Sequence, residues 1–288
     1  MSPGLGVTSA DYWAEGNQLR TSAFPVDGAL HIKGANFLGF ESNSCKRGGS
    51  WSQTRLTTTM ALLRKNGFNA LRVPLAIDGC DDTDLETFVR VAGDHGLLVA
   101  LNMHTLRPGV ANGNGYVGGD DGYDKLKKSW LRRASLFCDP VKYWNVFAAD
   151  LLENPHGMYW GPAPKGEHKG AHYWPQERWD TVAARLGSEL HAACSRWLVL
   201  VEGVGFCQSK SEKGCEWPSA VGQDRTTTSW WGENLQGVAE YPVELTSTDP
   251  KVTARLDERQ KVRAHRRRAG RRLVYSHTAH SFLCAASL

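Results

Sequence analysis

Residues 95–104 read HGLLVALNMH, an apolar run that ends in polar and ionisable groups. A strand that is apolar at almost every position is typical of a parallel sheet covered on both faces. The segment before it, 84–95, has Leu85, Phe88, Val89 and Ala92 on one face of a helix. Together they predict a helix followed by a buried parallel strand.

The same unit recurs along the chain. Strands are predicted at 30–40, 69–74, 96–104, 144–152, 197–204 and 272–277, and helices at 54–66, 84–95, 124–137 and 176–194. This alternation predicts parallel strands joined by crossover helices. A doubly wound sheet is the alternative, but no glycine-rich phosphate loop opens any helix. We therefore expect a (β/α)8 barrel, one domain at 30–288 after an N-terminal extension at 1–29.

Composition agrees with an ordinary globular protein: 288 residues, 41% hydrophobic and 22% charged, with a formal net charge of +4. Much of the positive charge lies in 259–272 (RQKVRAHRRRAGRR). Such a run is typical either of a nucleic-acid patch or of a solvated surface insertion. Because the rest of the chain is balanced, we expect the insertion and no nucleic-acid partner.

The cysteines and the apolar runs do not identify the cellular compartment. The seven cysteines include no CxxC pair, and Cys207 with Cys215 is the loop-closing disulfide that we predict. Residues 1–18 lack the apolar run of a signal peptide, and eighteen consecutive apolar residues occur nowhere. We therefore predict no membrane span and leave the localisation open.

Polar residues stand at the predicted carboxyl ends of the strands, where barrels place their reactive groups. They occur in GANFLGFE (34–41), NGFNALRVPL (66–75), HGLLVALNMH (95–104), AADLLENPHG (148–157), LVLVEGVG (198–205), WWGENLQGV (230–238) and LVYSH (273–277). This ordered series resembles the endoglucanase branch of glycoside hydrolase family 5. The resemblance runs from about residue 30 to residue 277.

The resemblance implies a retaining hydrolase of a β-glucan such as cellulose, with no metal or organic cofactor. It implies extracellular localisation, a polysaccharide partner and a monomer. Substrate-binding roles are implied for Arg72, His104, Asn154, Trp231 and His277. For Arg72 and His104 the alternatives are a strand-end salt bridge and a satisfied core histidine. Trp231 is predicted to stack on a sugar ring or to close the barrel rim.

The acid/base motif departs from the family pattern. Where the family has Asn-Glu-Pro-His-Gly, this chain has ENPHG at 153–157, so the acid and the amide are exchanged. Successive side chains of an extended segment point in opposite directions, so we expect Glu153 to point away from the position of the family's acid. Glu153 is then a solvated or salt-bridged carboxylate, a catalytic acid restored by a backbone slip, or a sequence error. It is the catalytic candidate, because the Asn154 amide cannot supply a proton.

The second departure follows His277. In the family the nucleophile lies on the next strand, but 278–288 (TAHSFLCAASL) contains no Asp or Glu. We therefore expect an incomplete barrel of about six of the eight strand-helix units. Glu202 ends a strand, but the resemblance makes it a support residue rather than the nucleophile. The alternative function is a catalytically inactive carbohydrate-binding or vestigial barrel.

Overall fold

The computed structural model describes residues 9–15, 18–23, 29–42, 52–77, 82–105, 119–153, 155, 160–162, 178–203, 241–246 and 273–276. The elements are, in chain order, β1 (Tyr12–Glu15), β2 (Gln18–Thr21), β3 (Ala29–Leu30), β4 (Gly34–Asn36), α1 (Gln53–Lys65), β5 (Ala70–Ala76), α2 (Asp82–Asp94), β6 (Leu98–Thr105), α3 (Gly119–Phe137), β7 (Val146–Asp150), α4 (Trp179–Ala193), β8 (Leu198–Glu202) and β9 (Leu273–Ser276).

Strands β4 to β9 form one six-stranded sheet in sequence order. Every neighbouring pair is parallel. Helices α1, α2, α3 and α4 each connect two successive strands from β4 to β8. Parallel strands in consecutive order with helical crossovers are the arrangement of a (β/α)8 barrel. The predicted fold class is confirmed, and the described residues supply six of the eight strands.

The two faces of the sheet have different neighbours. In β8, Val199 and Val201 belong to the large core that includes the helices, whereas Leu198 and Leu200 belong to a second apolar cluster. Because side chains alternate along a strand, the second cluster lies on the interior face of the barrel. The interior is therefore filled with packed side chains at this end of the strands.

An antiparallel sheet of β1, β2 and β3 packs against that interior cluster. Tyr12 in β1 is fully buried there, and its hydroxyl donates a hydrogen bond to the backbone oxygen of Trp144 at 2.6 Å. The backbone nitrogen of Tyr12 also donates to the Arg196 oxygen at 3.2 Å. The sequence patterns did not indicate these strands, and the predicted boundary after residue 29 falls inside β3.

A disulfide joins Cys138, just after α3, to Cys194, just after α4, with the two Cα atoms 5.6 Å apart. The guanidinium group of Arg196 donates to the backbone oxygens of Cys138, Phe137 and Tyr143 beside it. The cysteine spacing did not indicate this pair. The predicted pair, Cys207 and Cys215, lies outside the described residues.

Within the described part of the chain, no helix combines the length and the apolar character that a membrane crossing requires.

Candidate active site

Polar side chains occupy the interior face at the carboxyl ends of four adjacent strands. They are Arg72 on β5, Asn102 and His104 on β6, Asp150 on β7 and Glu202 on β8. Each is an even number of residues after an apolar member of the interior cluster, for example Asp150 after Ala148. The two-residue period of a strand therefore places them on the same face, above the apolar layer. The interior of the barrel is apolar at one end and charged at the other.

Arg72 is the centre of this charged end. Its Nε donates to Asp150 Oδ2 at 2.8 Å, and its Nη2 lies 2.6 Å from the same oxygen. The same Nη2 lies 3.0 Å from Glu202 Oε1 and also donates to Glu153 Oε2. All four side chains are buried, none more than 3% exposed. We call Arg72, Asp150, Glu153 and Glu202 the Arg72 cluster.

His104 lies at the edge of the cluster. Its Nδ1 is 3.5 Å from Glu153 Oε2 and 3.2 Å from Asn102 Oδ1. The His104 side chain is 12% exposed, whereas the carboxylate that it faces is 1% exposed. His104 is therefore the side chain through which this part of the site meets solvent.

Backbone anchors fix the strand ends that carry the acids. The Glu153 amide donates to the Met103 oxygen at 2.7 Å, which ties the residues after β7 to β6. The indole nitrogen of Trp130 donates to the Leu151 oxygen at 3.0 Å, and that of Trp179 donates to the Glu202 oxygen at 2.9 Å. Two helical tryptophans thus hold β7 and β8 where their acids reach Arg72.

The acids of the cluster have different proton affinities. Burial raises the pKa of Asp150 to about 6; the Arg72 charge opposes this shift and the neighbouring Glu153 carboxylate adds to it. Burial also acts to raise the pKa of Glu153, but the hydrogen bond from His104 and the charge of Arg72 outweigh it and lower that pKa to about 2. The three carboxylates raise the pKa of Arg72 despite its burial. Burial therefore favours the neutral form of Asp150, whereas the donors around Glu153 favour its ionised form.

The structure brings together three of the predicted site residues, Arg72, His104 and Glu153. The other three, Asn154, Trp231 and His277, lie outside the described residues. Glu153 is buried and ion-paired, so of its two loop interpretations the solvated one is wrong and the salt-bridged one is observed.

Asp150 was not predicted as a site residue, because the segment that contains it was predicted only as an apolar strand. The two-residue period from Ala148 was the signal that could have placed it on the interior face. Glu202, predicted as a support residue, is fully buried in contact with Arg72.

A group of three acids this compact is able to hold a cation. Oxygen atoms of Asp150, Glu153 and Glu202 all lie within 4.8 Å of one another. Arg72 Nη2 contacts an oxygen of each of the three. The guanidinium is thus the cation of this cluster.

A (β/α)8 barrel with carboxylates, an arginine and a histidine at the carboxyl ends of its strands has the architecture of many glycoside hydrolases. A family model described as "Cellulase (glycosyl hydrolase family 5)" matches residues 30–252. The chain belongs to this family. The predicted resemblance is confirmed.

Characterised relatives extend the comparison. The chain is 27% identical over 239 residues to an endoglucanase of Paenibacillus polymyxa, a match that covers 74% of this chain and 52% of the relative. It is 23% identical over 273 residues to endoglucanase G of Acetivibrio thermocellus, covering 74% of this chain and 46% of that protein. The chain thus spans about half the length of these two relatives.

Solved structures show the same fold. A cellotetraose complex of an endocellulase from Pyrococcus horikoshii superposes with a TM-score of 0.62 at 25% identity, over 96% of this chain and 70% of that one. The catalytic domain of the major endoglucanase from Xanthomonas campestris gives a TM-score of 0.57 at 20% identity, over 82% and 65% of the two chains.

Proposed function

We propose that this protein hydrolyses O-glycosyl bonds of a β-glucan such as cellulose, by the retaining double-displacement route, with Glu153 as an essential carboxylate. The observation that carries the proposal is the Arg72 cluster at the carboxyl ends of the strands. Membership of the cellulase family supports the substrate class, since the relatives named above are endoglucanases and an endocellulase.

The cluster contains one carboxyl group whose pKa is raised and one whose pKa is lowered, which supports the proposal. Retaining hydrolysis uses two carboxyl groups roughly 5 Å apart, one ionised and one protonated. Oxygen atoms of Glu153 and Asp150 lie within 4.8 Å of each other, and their pKa values are separated in opposite directions. Because its pKa is lowered to about 2, Glu153 is suited to act as the ionised carboxylate rather than as the proton donor.

Arg72 and His104 support this role for Glu153. Both approach the same oxygen, Glu153 Oε2, and so fix the direction of the carboxylate. His104 also contacts Asn102 Oδ1, which orients its ring. Sugar hydroxyls are the partners that we propose for the exposed part of His104. We propose further sugar contacts for Asn154, Trp231 and His277.

A second candidate function is the binding of a β-glucan without hydrolysis. The burial of all three carboxylates and their shared contact with Arg72 favour it, because a carboxylate locked in an ion pair is poorly placed to attack a sugar. The exchange at residues 153 and 154 favours it as well, since Asn154 cannot donate the proton that the family's acid supplies.

Hydrolysis of a soluble β-1,4-glucan, measured as reducing-end release, separates the two functions. We expect activity in the parent protein and its loss in Glu153→Gln, which keeps the shape of the side chain and removes the charge. Affinity electrophoresis in the same glucan should show retained binding by both proteins. Binding without hydrolysis in both would favour the second candidate.

The double variant Glu153→Asn with Asn154→Glu provides a matched comparison, since it restores the family order at these two positions and conserves composition. If Glu153 is the essential carboxylate, this variant loses activity as Glu153→Gln does. A gain of activity over the parent would instead indicate that the native order disables the site.

A further inference from the structure

We propose that the Arg72 cluster retains one proton and that this proton is located on Asp150. Asp150 is then the positioning residue through which pH controls the placement of Arg72. This inference concerns the free protein and is independent of whether the protein hydrolyses a glucan.

The first support is the balance of charge. The cluster buries three carboxylates against one guanidinium, and the neighbouring His104 adds a second positive charge only when it is protonated. Uncompensated charge in the interior of a protein is costly, so such a group lowers its free energy by taking up a proton. With one of the three acids neutral, the net charge of the four side chains falls from −2 to −1.

The second support is the distribution of donors over the acids. Arg72 and His104 both approach one oxygen of Glu153, so this carboxylate is held as an anion. Both contacts from Arg72 to Asp150 go to Oδ2. Asp150 Oδ1 is buried and has no hydrogen-bond partner among the described residues. Because no donor reaches Oδ1 from the described residues, the ionised form of Asp150 lacks a hydrogen bond that would favour it.

The charged and titratable side chains described around Asp150 come from every neighbouring strand. They are Arg72 on β5, His104 on β6, Glu153 after β7 and Glu202 on β8. Burial and the Glu153 carboxylate act in the same direction on Asp150, and both favour its neutral form. Arg72, which is shared among three acids, opposes them, and His104 adds a smaller effect in the same direction as Arg72.

Arg72 then responds to pH through Asp150. While Asp150 is neutral, it accepts a hydrogen bond from Arg72 through Oδ2. The positive charge of the guanidinium is then neutralised mainly by Glu153 and Glu202. When Asp150 ionises, three carboxylates share the Arg72 guanidinium, and the repulsion among the carboxylates destabilises the cluster. The direction of the pH effect on stability follows from the raised pKa of Asp150. The stabilising contribution of Asp150 is complete below its unfolded value of about 3.8 and is lost as pH rises through about 6.

Asp150→Asn tests this directly, since asparagine is a permanently neutral isostere of protonated aspartate. At pH 4 the unfolding midpoint of Asp150→Asn should match that of the parent, and the decline of the parent's midpoint from pH 4 to pH 7 should be absent from the variant. The control is Glu153→Gln, in which an ionised partner of Arg72 is removed. That variant should melt roughly 5 °C or more below the parent at pH 5.

An infrared difference spectrum provides a second measurement on the parent. A protonated-carboxyl band should be present at pH 5, disappear near pH 7 and be absent from Asp150→Asn. Failure of Asp150→Asn to fold, a loss of stability as large as that of Glu153→Gln, or an unchanged carboxyl band in Asp150→Asn would each overturn the proposal.

Discussion

Arg72 determines the chemistry of the site at the scale of single residues. It contacts acids from two neighbouring strand ends and from the segment after β7, through Nε and one Nη atom. Such a fork of donors cannot be reproduced by lysine, whose ammonium group is a compact point charge. The identity of this residue therefore matters more than its charge alone.

Arg72→Lys tests that statement. We expect this variant to lose about 3–5 kcal/mol of the free energy of unfolding, because a buried carboxylate is left without its partner. Urea denaturation at pH 5 measures the loss. Arg132→Lys is the control, since Arg132 is 45% exposed and its ion pair with Asp82 is at the surface. A loss in Arg72→Lys as small as that in Arg132→Lys would show that the Arg72 contacts contribute little.

The sequence motifs predicted individual site residues but not the contacts between them. Arg72, His104 and Glu153 were predicted from their motifs, but the motifs could not show that Glu153 would be paired with Arg72. Such a pairing depends on how far Arg72 reaches across the interior from β5, which is a property of the folded sheet. The two-residue period from Ala148 could have placed Asp150 on the interior face, but its contact with Arg72 could not be predicted from the strand alone.

At the scale of elements, the helices and parallel strands follow from apolar patterning. The predicted helix at 84–95 corresponds to α2 (Asp82–Asp94), and the predicted strand at 96–104 corresponds to β6 (Leu98–Thr105). The short antiparallel strands β1, β2 and β3 were not predicted. They have two to four residues each, which is too short for a two-residue period to be recognised.

The Cys138–Cys194 disulfide links the ends of two helices across a sequence separation of 56 residues. Replacement of both cysteines by serine should lower the free energy of unfolding by about 2–5 kcal/mol, because the unfolded chain gains conformational freedom. Thermal unfolding with and without a reductant measures this effect. The reductant should destabilise the parent more than the double variant. A reductant effect of equal size in both proteins would contradict this assignment.

At the scale of the whole molecule, the N-terminal sheet of β1, β2 and β3 covers the apolar end of the barrel interior. Tyr12 and Leu30 pack with interior residues such as Ala100, Ala148 and Leu198. Apolar surface of this kind becomes exposed if the sheet is removed. The prediction that the protein is a monomer applies to the chain with this sheet in place.

Deletion of residues 1–30, which removes β1, β2 and β3, should therefore cause association, because the interior cluster loses its cover. Size-exclusion chromatography and light scattering measure this outcome. Tyr12→Phe is the control: it removes one hydrogen bond to Trp144, costs about 1 kcal/mol, and should leave the elution volume unchanged. A deletion variant that elutes as a stable monomer would show that the sheet is dispensable.

The most direct test of the proposed activity is the initial rate of reducing-end release from a soluble β-1,4-glucan by the parent protein and by Glu153→Gln at pH 5. Glu153 as the essential ionised carboxylate predicts measurable hydrolysis by the parent and its loss in the variant, with glucan binding preserved in both. Hydrolysis that persists unchanged in Glu153→Gln, or a parent that binds the glucan without cleaving it, would contradict this assignment.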